Sequence, residues 1–142
     1  MRLDTKITIT AGGADHHVTL GEITNAITLF LDDSMRRAPW KGHKNRLAGH
    51  CYVASETLYH LVPGMKPMFI RHEGAPHWFL VDSDGDVHDL TAGQFRTPVP
   101  YGDATGKGFL TKGPSKRARL HMETVTCVYH CNRWGCDCGV DR

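Results

Sequence analysis

An α+β fold, with a helix packed on an antiparallel β-meander, is predicted by three features of this sequence. Apolar residues recur at helical intervals in two stretches of the first half, around residues 21–32 and 47–62. Between residues 68 and 90 the period changes to short runs rich in Phe, Ile, Trp and Val, broken by turn residues. The chain has 142 residues, the size of a single core, so helices and meander belong together.

Each element has its own signal. Residues 3–10 alternate with Ile7 and Ile9 on one face, the run Ala11-Gly12-Gly13-Ala14-Asp15 supplies a turn, and residues 16–20 return as a second strand. Thr19 and Glu22 have the spacing of a capping box ahead of Ile23, Ile27, Phe30 and Leu31, which sets a helix over residues 21–32. Residues 34–45 mix Pro, Gly and basic side chains without a period and read as a loop. A second helix over residues 47–62 places Ala54, Leu58, Leu61 and Val62 on one side and stops at Pro63-Gly64. Strands at 68–73, 77–82 and 86–90 are separated by Gly74-Ala75-Pro76 and Ser83-Asp84-Gly85. After Phe95 the chain is punctuated by Pro and Gly until a short basic helix, capped by Ser115, at 115–122. One domain over residues 1–122 with a Cys-rich extension over 123–142 packed on it follows from this order.

Composition narrows the function. No apolar run approaches a bilayer span, and the first residues alternate instead of forming a secretion signal, so a cytoplasmic protein is expected. A net charge of +2 does not announce a nucleic-acid partner. The basic residues Lys107, Lys112, Lys116, Arg117 and Arg119 do lie together with no acid among them. Such a run could grip phosphates, yet a charge run is usually a solvated face and only Phe109 offers stacking. Zinc-deaminase chemistry is excluded because His72-Glu73 lacks the H-x-E spacing and no P-C-x-x-C follows.

The five Cys divide into Cys51 alone and a terminal group. Cys51 falls in the first turn of the second helix, where unpaired N–H groups and the helix dipole favour a thiolate. His77 follows on a strand and Asp89 on the next. Thiol, imidazole and carboxylate are the three parts of nucleophilic acyl transfer. A lone Cys in an apolar helix is also a common core residue, so hairpin register matters. A three-residue Ser83-Asp84-Gly85 loop sets Phe79 opposite Asp89 and puts Asp89 on the face of His77, diagonally across neighbouring strands. A two-residue Asp84-Gly85 loop would turn the carboxylate to the opposite face.

This order of helix-borne Cys, strand-borne His and next-strand Asp resembles the papain-like superfamily, and the run ending in Asp-x-Thr is similar to its transglutaminase-like branch. Gly49-His50-Cys51-Tyr52-Val53-Ala54, with His77-Trp78-Phe79 and Asp89-Leu90-Thr91-Ala92-Gly93-Gln94-Phe95, resembles the YunG family of small bacterial and phage proteins. The resemblance covers about residues 40–95. It implies a papain-like core and a Cys51, His77, Asp89 triad. In papain a Gln six residues before the nucleophile lines the oxyanion hole; Asn45 holds that place here and can donate the same bond.

Cys127, Cys131, Cys136 and Cys138, spaced x3, x4 and x1, could saturate one structural zinc, with Gly135 and Gly139 permitting tight backbone. Free thiols or disulfides are equally open to them. The sequence therefore carries two functional readings. One is a cysteine hydrolase or acyl-transferase acting on an amide or peptide-like bond of a protein or peptide substrate, with no catalytic cofactor. The other is a zinc-stabilised binding module contacting nucleic acid or an acidic protein, with Cys51 inert.

Overall fold

A computed structural model describes residues 1–130. Strands β1 (Lys6–Ala11) and β2 (Ala14–Thr19) form a hairpin closed by Gly12 and Gly13, both at positive φ, and run straight into helix α1 (Leu20–Leu29). The capping box is present: Glu22 N–H donates to Thr19 Oγ1 at 3.1 Å while Glu22 reaches back to the Thr19 backbone. Helix α2 (Cys51–Leu61) leads into a four-stranded antiparallel sheet of β3 (Lys66–His72), β4 (Ala75–Val81), β5 (Val87–His88) and β6 (Thr105–Gly106), ordered β5-β4-β3-β6. Helix α3 (Lys116–His130) closes the described chain. The fold is α+β with antiparallel sheets, as the periodicity predicts. Among the described residues no helix is long and apolar enough to cross a membrane.

Alternation along β4 divides the interior in two. Leu80 joins Leu20, Ile23 and Ile27 of α1, Val53, Ala54 and Leu58 of α2, and Ala118 and Val125 of α3 in the main core. Phe79, one residue earlier, belongs to a smaller cluster with Ile70 and Val99, flanked by Phe95 and Tyr101. The helices anchor one cluster, and the loops after β5 build the other.

Helix α2 starts at Cys51 instead of residue 47, β5 is shorter than the expected 86–90, and β6 stands in the stretch read as loop after Phe95. Two further elements differ from the sequence reading. The β3–β4 turn is Glu73-Gly74, with φ of 51° and 77°, so Ala75 and Pro76 pair with His72 and Arg71 instead of forming the turn. Pro76 is tolerated because the pair beyond a two-residue turn exchanges no ladder bonds, and β5 pairs only with Leu80 and Val81 on the other side. Helix α3 extends well past residue 122 through a stretch of weak helix formers, Thr124-Val125-Thr126. Burial of Ala118, His121 and Val125 along one face carries it, an instance of packing overriding propensity. The helix thus continues across the boundary drawn between domain and extension.

Candidate active site

The β4–β5 loop settles the register question. Gly85 takes φ of 86° and donates its N–H to Asp82 O at 3.0 Å, while Asp82 N–H donates to Asp86 O at 3.0 Å, making Ser83-Asp84-Gly85 a three-residue loop. Leu80 stands opposite His88, and Asp89 follows directly on the end of β5. His77 Nε2 and Asp89 Oδ2 are 2.7 Å apart, and the His77 ring is fully buried. Tyr101 O–H donates to the same carboxylate oxygen at 2.9 Å, and Thr91 N–H reaches its other oxygen at 3.3 Å.

Cys51 is the first residue of α2, and His50 in the N-cap position makes no side-chain cap, so that residue offers the first-turn N–H groups no side-chain acceptor. Cys51 is 8% exposed, and its Sγ lies 3.8 Å from Pro76 O, at the strand position just before His77. Burial pulls the His77 imidazole down, but hydrogen bonds with Asp89 and Cys51 outweigh it and push the ring up to about 9. The imidazole is therefore charged at neutral pH, between a carboxylate and a thiol.

Two residues that spacing did not single out complete the surroundings. Gln94 Nε2 lies 3.3 Å from His77 Nδ1 and donates to Thr91 Oγ1 at 3.2 Å. When the imidazole is charged, both ring nitrogens donate, and a half-turn of the Gln94 amide presents its oxygen to Nδ1. Phe95 stands edge-on to His77 at 4.7 Å between ring centres. That loop is held from the β3–β4 turn, where Glu73 accepts from the backbone N–H of Arg96 and Thr97 and from the Thr97 hydroxyl. Gln94 and Phe95 fall in the stretch that carries the family resemblance, with no role attached to them there; Tyr101 is assigned by contact alone.

Asn45 does not sit free beside the thiol. Its Nδ2 donates to Gly93 O at 3.2 Å and its Oδ1 accepts from Leu47 N–H at 3.0 Å, tying the loop before α2 to the loop carrying Gln94. Buried Arg36 fixes the same stretch, donating to the carbonyls of His43, Asn45 and Arg46 and, through Nε, to His50 Nε2 at 3.1 Å. Burial and then Arg36 hold the His50 imidazole down at about 4, so it is neutral and its proton sits on Nδ1. Gly49, at φ +81°, completes the approach to Cys51.

Of the four expected zinc ligands, Cys127 is buried on α3, and Cys131, Cys136 and Cys138 lie outside the described residues. A different acidic group stands at the β4–β5 turn. Asp82, Asp84 and Asp86 bring oxygens within 4.8 Å of one another, and the Met1 ammonium bonds all three carboxylates. One surface groove is lined by Thr24, Thr28, Val87, Leu90 and Asp89, and another by Met1, Arg2 and Asp86. Comparison with known proteins finds no matching family model, no matching curated protein and no matching solved structure.

Proposed function

We propose that the protein is a cysteine-dependent hydrolase or acyl-transferase acting on an amide or peptide-like bond. One observation carries the reading: a thiol at the uncapped start of a helix meets a charged, buried imidazole whose far nitrogen is held by a carboxylate. In this reading Cys51 attacks the carbonyl carbon as a thiolate, with its proton already on His77. The first-turn N–H groups of α2 meet the developing oxyanion, and Asn45, which gives one N–H of its amide to Gly93 O, keeps a second N–H for the same task. His77 then gives its proton to the departing nitrogen as the C–N bond breaks, leaving a thioester on Cys51. Water or an amine attacks the thioester, His77 takes that nucleophile's proton, and the thiolate leaves. Asp89 fixes the ring and stabilises its charge throughout. No step uses a cofactor.

The helix, hairpin and Cys-His-Asp order also support a papain-like core and the kinship stated for residues 40–95. A cytoplasmic setting, where thiols stay reduced, suits this chemistry. The experiment is limited iodoacetamide labelling of the folded protein followed by mass mapping. Cys51 is expected to label first, and Cys51→Ala to abolish activity on any amide substrate found. Labelling confined to Cys127, Cys131, Cys136 or Cys138 would favour the binding-module reading.

A further inference from the structure

Acid-free sequence surrounds the thiol. No Asp or Glu lies between Asp33 and Glu56, or between Asp103 and Glu123, yet these two stretches hold ten of the chain's 17 Lys and Arg. They are far apart in sequence, and the fold joins them at the start of α2. From the first stretch, Arg36 bonds His50, the residue before Cys51. In the second, Leu110 N–H donates to the hydroxyl of Tyr52, the residue after Cys51, at 2.8 Å, and Phe109 packs edge-on to the same ring at 5.3 Å. Lys107 Nζ sits 4.5 Å above Phe69 and 5.6 Å from Trp78, which itself touches Tyr52. Arg117 closes the junction by donating to Met35 O at 2.7 Å, next to Arg36 and Arg37.

Arg36 pairs with Asp33 at 3.4 Å, but among the described residues no carboxylate forms an ion pair with Arg37 or Arg117. Glu56, the one acid beside Arg117, is fully buried and gives both oxygens to Ser115. Burial, and then the charge of Arg37, lower the hold of Arg117 on its proton. Half-buried guanidinium beside guanidinium is unfavourable unless an anion comes between them.

We infer that the Cys51 site takes an acidic peptide, whose Asp or Glu side chains dock on Arg37 and Arg117 while a neighbouring amide bond reaches the thiol. This rests on the thiol chemistry proposed above, since an amide-directed nucleophile selects a peptide among polyanions. Guanidinium pairs carboxylate bidentately, which gives register as well as attraction. Exposed Arg37 supplies the screened, steering part and half-buried Arg117 the tighter contact.

The test uses the full chain. Fluorescence anisotropy would follow Cys51→Ala binding a labelled Glu-rich peptide, its Gln-for-Glu counterpart and a single-stranded oligonucleotide of equal charge. The Glu peptide should bind roughly tenfold tighter than the Gln peptide, with the advantage lost at about 0.5 M salt and in Arg37→Glu. Arg117→Gln should lose it too; because Arg117 also supports the fold, the exposed Arg37 variant decides. Equal binding of the two peptides, or tighter binding of the oligonucleotide, would overturn the inference. Turnover of internally quenched peptides by the wild-type chain separates the two claims. Cleavage indifferent to flanking charge removes the acidic-peptide assignment and leaves the thiol reading. Charge-selective binding with an unreactive Cys51 keeps the acidic-peptide surface and removes the thiol chemistry.

Discussion

The β4–β5 hairpin contains two His–Asp pairs that a distance table would not tell apart. His77 Nε2 to Asp89 Oδ2 and His88 Nε2 to Asp82 Oδ2 are both 2.7 Å, and all four side chains are almost wholly buried. Their surroundings differ. The Asp82 carboxylate also accepts from the N–H groups of Asp84 and Asp86 and from the Met1 ammonium, so it ties a turn and a chain end together. Asp89 accepts from Tyr101 and Thr91 while the far side of its histidine meets a thiol and an amide. An imidazole–carboxylate pair is thus a generic brace, and the group on the other ring nitrogen gives it chemistry.

Breaking the comparison at Asp89 should have the largest effect. Asp89→Asn keeps a side chain that can orient His77 but withdraws the charge, so kcat on an amide substrate should fall by roughly ten- to a hundredfold with the fold intact. The alkaline limb of the rate profile should move as well. In the wild-type chain, rate should fall as pH rises through about 9, where the leaving-group proton is lost; in the variant the limb should shift toward the ordinary histidine value of 6.5. The same raised value gives stability that is complete below 6.5 and fades as pH climbs through about 9. A rate profile unchanged by the substitution would make the first pair a brace like the second.

Asp82→Asn should do the reverse, lowering stability by about 2 kcal/mol while sparing turnover per folded molecule, because it weakens bonds to a buried histidine and to the turn. Bonds from His88 and the Met1 ammonium hold the Asp82 carboxyl well below its usual 3.8, so its stabilisation is present above that value and drains away as pH falls beneath it. Urea titrations at neutral and acid pH would show the variant's deficit shrinking in acid. Tyr101→Phe should have the smallest effect, about 1 kcal/mol of stability and a severalfold loss of kcat, since it takes one of several donors from Asp89. A loss as large as that of Asp89→Asn would mean the hydroxyl itself takes part in the reaction.

What the sequence made legible follows from the range of each signal. The capping box at Thr19 and the glycine of Ser83-Asp84-Gly85 are local, set by a few adjacent residues, and the second places the Asp89 register; the helix carrying Cys51 was legible as a helix, but its start at Cys51 instead of residue 47 was not. The Glu73-Gly74 turn was hidden because Pro76 reads as a breaker until the missing second strand beside it is known. Gln94, Phe95 and Tyr101 reach His77 and Asp89 through a loop anchored on Glu73, an arrangement with no periodicity. The joining of the two basic stretches was equally invisible, because it depends on where α3 begins relative to α2.

Gly49 leaves little latitude to change. A Cβ there would stand 2.4 Å from the Trp40 Cβ, inside the closest approach that carbon atoms tolerate, and the φ of +81° already disfavours any other residue. The two demands are independent, so relaxing one does not relieve the other. Trp40 cannot step aside alone, since its backbone is bonded to Arg37 and His43 in the loop that Arg36 clamps. Position 49 is in effect a lock without a side chain, through which the aromatic loop and the reactive helix must be inherited together.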